Sequence, residues 1–479
     1  MGRDRYVDFL RAWAILLVVV GHWLITALVR EPGGEIWAPE LLAEVPWTQW
    51  LTLGFQVMPL FFFAGGYAAG GSWGAAGGGA SGWVRRRALR LLGPAGVYSG
   101  LVLVAVGVCQ GVGVEGGTLE LVGWAMAMQF WFLPVYSVIS AVTPLLYAAH
   151  LRWGVLVPGG MGVVSVVASC TPHLGVLNYF LVWGVAYQLG FCWRDGLLQR
   201  GTGGVLAVCG GVAFVGLVAL GPYPVSLIRV TGQTPSNTDP PSPAMLAWVV
   251  AQVGVCLLVA PLVRRVLERE RVWRVVRGVG GASMTLYLWH MLPVLVVAAA
   301  FYLTGLAPQP ALGSLGWWGL RVPWLVVLGV VLVGVVAGVR GVAMRLRPTP
   351  TLRPTSRLRR TSTSPPASTP PPASTPPPAS TPPPASTPPP TATPLPAPTP
   401  RLPLPPWLMW LGLGSCAVSL SRFAVYGFAP DGQFPVLPAL GLAMGVGMVG
   451  LGGRGVCDRE LSHRSSAGPA GKSAAFEGS

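Results

Sequence analysis

The chain is divided into apolar stretches of about 17–25 residues, the length that a helix needs to cross the hydrocarbon core of a bilayer. Only helices and closed barrels satisfy every backbone hydrogen bond there, and uninterrupted stretches of this length are typical of helices. The composition agrees, because 52% of the 479 residues are hydrophobic and only 10% are charged, against about 25% charged in ordinary globular proteins.

The predicted spans lie near 9–29, 51–70, 88–109, 131–149, 153–170, 176–193, 203–221, 245–263, 280–303 and 322–339, followed by 407–427 and 434–452. We therefore predict an all-α integral membrane protein, a polytopic bundle of about ten transmembrane helices plus an appended C-terminal pair. Arg11 and His22 interrupt the first apolar run, which lacks a small-residue cleavage site. These features favour a retained first helix over a signal peptide.

Arginines are concentrated in alternate connections between the predicted spans. If the N-terminus is inside, the basic groups on the cytoplasmic side include Arg3, Arg5, Arg85, Arg86, Arg87, Arg90, Arg194, Arg200, Arg264, Arg265, Arg269 and Arg271. The acidic cluster Glu31, Glu35, Glu40 and Glu44 then lies outside, and only Arg30, Arg229, Arg321 and Arg422 depart from the pattern. This distribution predicts cytoplasmic N- and C-termini in an inner or plasma membrane. The net charge of +16 is then a topology signal and implies no nucleic-acid partner.

Composition divides the chain into four parts. Residues 1–345 form the main transmembrane domain, and residues 405–453 form the C-terminal transmembrane hairpin. Between them, residues 346–404 contain four Ala-Ser-Thr-Pro-Pro-Pro repeats and are predicted to be a disordered cytoplasmic linker. A plain spacer is favoured over a docking site for proline-binding modules. The tail, 454–479, is predicted to be disordered and cytoplasmic.

Arg11 and His22 are the only ionisable side chains on the first span. Eleven residues correspond to about three helical turns, so both side chains share one face, roughly 16 Å apart along the axis. An ionisable group inside a bilayer costs about 2.5–3.5 kcal/mol or more, which makes the pair a functional-site hypothesis. Histidine is suited to general-base catalysis near neutral pH. The alternative for His22 is a structural histidine bonded to a neighbouring helix.

The seven cysteines are Cys109, Cys170, Cys192, Cys209, Cys256, Cys416 and Cys457, scattered singly along the chain. They form no cluster with histidine, which argues against a metal site and against a disulfide framework. We predict no bound metal or cofactor.

Several short motifs occur in order along the chain, and the first two lie in the first helix. They are Asp8-x-x-Arg11, Arg11 and His22 with ten residues between them, Phe62-Phe63-Ala64-Gly65-Gly66, Arg87-x-x-Arg90 with Pro94, and Tyr287-Leu288-Trp289-His290. In this order the chain resembles the membrane-bound acyltransferase-3 family over about residues 3–345. The linker and the last two spans lie outside the resemblance.

The resemblance implies transfer of an acyl group, acetyl as the family's first candidate, from cytoplasmic acyl-CoA as donor substrate to a hydroxyl. The acceptor class would be a carbohydrate, glycolipid, cell-surface polymer or secondary metabolite. His22 is then the candidate general base, with Arg11 and His290 as further catalytic candidates. Arg87 and Arg90 are candidates for the phosphates of CoA, because guanidinium groups bind phosphate well.

Asp8 and Tyr287 complete the predicted substrate-binding set, and Asp8 could instead simply pair with Arg11. His290 could orient His22, bind substrate or form only a local hydrogen bond. The arginines near residue 87 could be topology determinants alone.

Other mechanisms and other functions stay open on the sequence. Direct transfer is favoured over an acylated protein group, because no cysteine has an activating neighbour. A transporter or exporter could use Arg11 and His22 as a proton or anion site, although no inverted repeat supports it. A scaffold that recruits partners through its proline-rich linker would leave these two residues unexplained. The acceptor and the acyl chain length cannot be read from the chain.

Overall fold

The computed structural model describes residues 4–31, 36–76, 79–345 and 405–451. The first half of the described chain forms α1 Arg5–Ile25, α2 Leu41–Glu44, α3 Thr52–Phe55, α4 Met58–Gly74, α5 Ala80–Gly111, α6 Gly116–Ala125, α7 Phe132–Ala141, α8 Thr143–Trp153 and α9 Leu156–Cys170. The second half forms α10 Asn178–Arg194, α11 Arg200–Ala219, α12 Pro243–Leu267, α13 Glu270–Trp289, α14 Leu292–Val297, α15 Leu315–Arg345, α16 Pro406–Tyr426 and α17 Val436–Leu451.

Short segments connect these helices. The strands β1 Val29–Arg30 and β2 Ile36–Trp37 pair antiparallel. Tighter 3-10 turns occupy Pro46–Leu51, Met128–Trp131, Leu174–Leu177 and Pro430–Gly432, and a π-helical turn occupies Ala298–Tyr302. The predicted linker, 346–404, and the predicted tail, 454–479, lie outside the described residues.

Within the described residues, eight helices are long and apolar enough to cross a membrane, or up to 11 if each bent pair is one span. The prediction of an all-α polytopic membrane protein is confirmed. The last predicted span corresponds to the shorter apolar helix Val436–Leu451. The third span begins earlier than predicted, at Ala80, so the arginines near residue 87 lie inside α5 and not before it.

The predicted continuous span at 131–149 is wrong. The structure breaks it at Val142, between α7 and α8. Pro144 explains the break, because it lacks the N–H that would bond the Ser140 carbonyl and its ring crowds that carbonyl. The first part instead pairs with α6 across a bend of 47°, and α8 pairs with α9 across a bend of 113°. Gly154 makes the sharper bend, since its φ of +53° is a conformation that favours glycine.

The seam between α4 and α10 holds the centre of the bundle. Gly66 packs against the backbone of α10, where an added Cβ would lie 1.9 Å from the carbonyl oxygen of Tyr187. Gly190 of α10 packs in turn against the backbone of α4, where an added Cβ would lie 2.2 Å from the carbonyl oxygen of Phe63. Small residues of this kind let membrane helices approach closely where lipid provides no hydrophobic drive. The seam fixes the position of the Phe62–Gly66 motif.

We expect Gly66→Ala to destabilise the bundle by about 1–3 kcal/mol or more, because the new methyl group meets backbone that cannot rotate away. Gly74→Ala is the matched control in the same helix, since an added Cβ there meets nothing within 4 Å. Thermal unfolding in detergent measures the difference between the two variants. Equal melting temperatures for both would contradict the close packing of α4 on α10.

Charged contacts collect at the end of the bundle where α1 begins. The Asp4 carboxylate accepts hydrogen bonds from Tyr67 Oη (3.2 Å) and Arg264 Nη2 (2.7 Å). Arg5 pairs with Glu270 at 3.2 Å. Four helix segments therefore meet at this end of the bundle: the beginning of α1, the last turns of α4 and α12, and the beginning of α13.

The C-terminal pair packs on the rest of the bundle. The Arg85 guanidinium of α5 donates from Nε to the Val449 carbonyl (3.1 Å) and from Nη2 to the Gly450 carbonyl (2.5 Å). A cation suits the carbonyl groups that a helix C-terminus leaves unpaired. One member of the arginine group near residue 87 thus has a structural partner.

Candidate active site

The histidine predicted as the base lies in the last turn of α1 and meets a second histidine. His22 Nδ1 lies 2.9 Å from His290 Nε2, although 268 positions separate the residues in the chain. Their rings are nearly parallel, with 17° between the planes and 5.0 Å between the centroids. The geometry therefore gives His290 a direct hydrogen bond to His22.

A break between α13 and α14 places His290 there. α13 ends at Trp289, and Pro293 lies in the first turn of α14. Proline has no N–H to bond the Trp289 carbonyl, so a regular helix cannot continue through this point. The two segments meet at 54°. The His290 carbonyl, freed by the break, accepts the Trp23 indole N–H at 2.7 Å.

The hydrogen-bond partners assign the protons of the pair. His290 Nδ1 lies 2.8 Å from the Tyr287 carbonyl oxygen, which can only accept. His290 Nδ1 therefore carries hydrogen, and in the neutral ring Nε2 accepts from His22 Nδ1–H. His22 is then left with an unprotonated Nε2. His290 is fully buried, whereas His22 is only partly buried.

Two arginines converge on the Phe62–Gly66 motif from different helices. Arg11 Nη2 donates to the Ala64 carbonyl at 3.4 Å, and Arg87 Nη2 reaches the next carbonyl, that of Gly65, at 3.5 Å. Arg87 Nη2 also donates to Tyr136 Oη at 3.0 Å. These are weak or moderate bonds for a guanidinium that has five N–H donors. Most of the donor capacity of both arginines stays available for an anionic ligand.

A small cavity lies beside Arg87. It is lined by Val84, Arg87, Ala88, Leu91, Ser137, Ser140 and Ala141. Arg87 Nε and Ser137 Oγ are buried and have no hydrogen-bond partner among the described residues. Buried polar atoms without partners are costly, so this cavity suits a polar ligand group or water.

The other predicted substrate residues have different surroundings. Asp8 is buried, with 7% of its surface exposed, in the first turn of α1. Arg90 is exposed and makes no hydrogen bond or ion pair with the described residues. The Tyr287 hydroxyl donates to the Gln129 carbonyl at 2.5 Å. Tyr287 therefore holds the backbone near the histidine pair, and Arg90 lies one helical turn after Arg87 on the exposed surface of α5.

Comparison with known proteins bears on the nature of this site. A family model described as an acyltransferase domain, that of the acyltransferase-3 family, matches residues 4–340. The chain belongs to the acyltransferase-3 family. It is a membrane acyltransferase, and both histidines and both converging arginines fall within the matched residues. No curated protein and no solved structure matches the chain.

This acyltransferase also has a buried arginine near the C-terminal end of α1. None of the sequence motifs includes it. Arg321 of α15 is 7% exposed, donates to the Thr26 carbonyl at 2.8 Å, and lies 3.7 Å from the centroid of the Trp317 ring. Thr26 itself donates from its hydroxyl to the His22 carbonyl at 2.6 Å. One sequence feature does distinguish Arg321: it is one of the four arginines that do not lie in the predicted cytoplasmic connections.

Tyr136 and Gln129 are two further members of the site region, and no sequence pattern marks either of them. Tyr136 contacts Arg87, and Gln129 Nε2 donates to the Leu288 carbonyl at 3.3 Å. Among the described residues of this acyltransferase, no group of three or more His, Cys, Asp or Glu could hold a metal ion.

Proposed function

We propose that the protein is an O-acyltransferase that moves an acyl group, acetyl first among the candidates, from acyl-CoA to a hydroxyl of a carbohydrate or another cell-surface or secondary-metabolite acceptor. The observation that carries this proposal is the hydrogen bond between His22 Nδ1 and His290 Nε2. It holds His22 in the tautomer whose Nε2 can accept a proton. A hydroxyl is a poor nucleophile, so a fixed base is what this reaction requires.

In the proposed reaction, His22 Nε2 removes the proton of the acceptor hydroxyl as its oxygen attacks the thioester carbonyl. The new C–O bond forms, the C–S bond breaks, and the proton on His22 passes to the departing thiolate. Protonated His22 keeps its Nδ1–H bonded to His290 Nε2, whose own Nδ1–H stays on the Tyr287 carbonyl. No acylated protein group is needed in this scheme.

The converging arginines support binding of the charged part of CoA. Arg11 and Arg87 both retain free N–H donors beside the Ala64 and Gly65 carbonyls. Arg11 lies about 16 Å along α1 from His22. A donor with its phosphates at the arginines and its thioester at His22 must therefore have a long flexible arm between them, which is a property of acyl-CoA. Arg90, exposed on α5, remains a proposed outer phosphate contact.

The arginine distribution supports a plasma or inner membrane orientation with both termini in the cytoplasm. Arg5 and Arg264 lie at the end of the bundle where α1 begins. Glu40 bonds the Thr231 N–H through both carboxylate oxygens, at 3.2 and 3.0 Å, in the connections of the opposite end. In this orientation acyl-CoA approaches Arg11 and Arg87 from the cytoplasm.

Turnover of radiolabelled acetyl-CoA by the purified full chain in lipid nanodiscs tests the proposal. We expect measurable hydrolysis or transfer, and we expect Arg87→Lys to raise the KM for the donor about 10-fold, because lysine lacks the planar set of N–H donors that can bind two phosphate oxygens at once. Arg422→Lys is the control, since Arg422 is exposed on α16 and lies over the Tyr426 ring. Folded protein that neither binds nor turns over any acyl-CoA would refute the proposed function.

A further inference from the structure

The connection between α16 and α17 is inserted into the bundle. Gly427, with a φ of +77°, turns the chain against α6, where an added Cβ would lie 2.8 Å from Trp124 N. The Phe428 N–H then donates to the Gly123 carbonyl at 3.1 Å. Phe428 and Ala429 have no exposed surface. The connection therefore does not lie loosely at a membrane surface.

The ring of Phe428 enters an aromatic cluster. Its centroid lies 5.8 Å from Phe130, with 78° between the planes, and 6.3 Å from Tyr98. The Tyr98 ring lies 4.9 Å from Trp289 at 82°, an edge-to-face arrangement. Aromatic rings attract one another in this arrangement, because the positive edge of one ring meets the negative face of the other. Trp289 is the residue directly before His290.

Gln129 connects this cluster to the break between α13 and α14. Its side-chain Nε2 lies 3.4 Å from Tyr98 Oη and 3.3 Å from the Leu288 carbonyl oxygen. Its main-chain carbonyl accepts the Tyr287 hydroxyl. Gln129 therefore bonds the backbone on the N-terminal side of His290, and Phe428 packs against the two neighbours of Gln129, namely Tyr98 and Phe130.

We propose that the C-terminal pair is a positioning module for the active site, and that Phe428 is its positioning residue. Phe428 supports Tyr98 and Phe130, these support Gln129 and Trp289, and the bonds to Tyr287 and Leu288 keep His290 Nε2 on His22 Nδ1. The matched family segment ends at residue 340, so this contribution comes from outside it. The inference rests on the proposed function for its kinetic consequence but not for its structural one.

Two readouts on the full chain test the module. Phe428→Ala should lower kcat about 10- to 100-fold, because a base misplaced by about 1 Å loses that order of rate. The donor KM should stay within about two-fold, since the arginines are untouched. Deuterium uptake by the peptide 286–291 should rise. Phe428→Leu, which keeps most of the volume, should lie between Phe428→Ala and the parent in both readouts.

Tyr426→Ala is the matched control, because Tyr426 is an aromatic of the same hairpin that is 50% exposed. It should alter neither the deuterium uptake nor kcat. Unchanged uptake at 286–291 in Phe428→Ala would overturn the proposal, as would unchanged kcat in an active enzyme. If the parent turns over no acyl-CoA, the proposed function fails and deuterium uptake alone decides the inference. If Phe428→Ala does not fold, Phe428→Leu is judged by the same two readouts.

Discussion

Replacing His22 with glutamine is expected to lower kcat by about 10²–10⁴-fold, the usual contribution of a general base. Glutamine has a similar reach and can keep a hydrogen bond to His290, but its side chain does not accept a proton near neutral pH. The Arg11 and Arg87 sites are unchanged, so acyl-CoA affinity should stay within about two-fold. Single-turnover kinetics together with equilibrium binding of acetyl-CoA separate the two effects.

His173→Asn provides the control for this experiment. His173 is exposed, has a φ of +65°, and lies in the turn before α10. Asparagine tolerates that backbone conformation, so the variant changes a histidine without adding strain. It should retain parental kinetics. Full activity of His22→Gln would show that the base is another group, and equal losses in both variants would indicate a general effect of histidine replacement.

His290→Ala is expected to lower kcat roughly 10- to 100-fold, the order found for residues that orient another catalytic or ligating group. Without the acceptor at His290 Nε2, His22 is free to adopt the tautomer that carries hydrogen on Nε2. In that tautomer Nε2 cannot accept the proton of the acceptor hydroxyl. The donor KM should change little. His290→Gln offers a carbonyl oxygen to His22 Nδ1–H and should recover part of the loss.

The order of the His290 variants is the decisive measurement. A structural role alone predicts similar kcat values for alanine and glutamine once thermal stability is matched. A positioning role predicts a higher kcat for glutamine at an unchanged donor KM. His150→Gln is a useful comparison, because His150 is also buried but bonds Asp195 Oδ2 at 3.0 Å.

Sequence alone could identify the fold class and name both His22 and His290 as candidates, but it left open how the two histidines are related. The bilayer dictates the length of the apolar stretches and the distribution of arginines, so each span can be recognised from its own residues. His22 and Arg11 can also be identified as candidates from sequence, because an ionisable group in an apolar helix is costly wherever its partners lie. Both inferences needed no knowledge of tertiary contacts.

The remaining features depended on the packing of distant segments. The roles left open for His290 could not be narrowed from sequence, because its geometry arises from the break at Pro293 and the contact with α1. Tyr136 and Phe428 are ordinary aromatic residues in apolar stretches, and only their neighbours distinguish them. The helix break at Val142 could not be predicted from hydropathy, because the hydropathy of 131–149 is continuous across it and Pro144 alone marks the change.

The contacts of Asp4 and Arg85 also have a practical consequence. Tyr67 joins Asp4 to the last turns of α4, Trp83 Nε1 of α5 donates to Ser72 Oγ of the same helix end, and Arg85 holds the final carbonyls of α17. The first and last described helices therefore meet the same face of the molecule. Two reporter groups, one near Asp4 and one near the end of α17, would therefore lie at the same end of the molecule, and a change in the distance between them would report movement of the last described helix relative to the first.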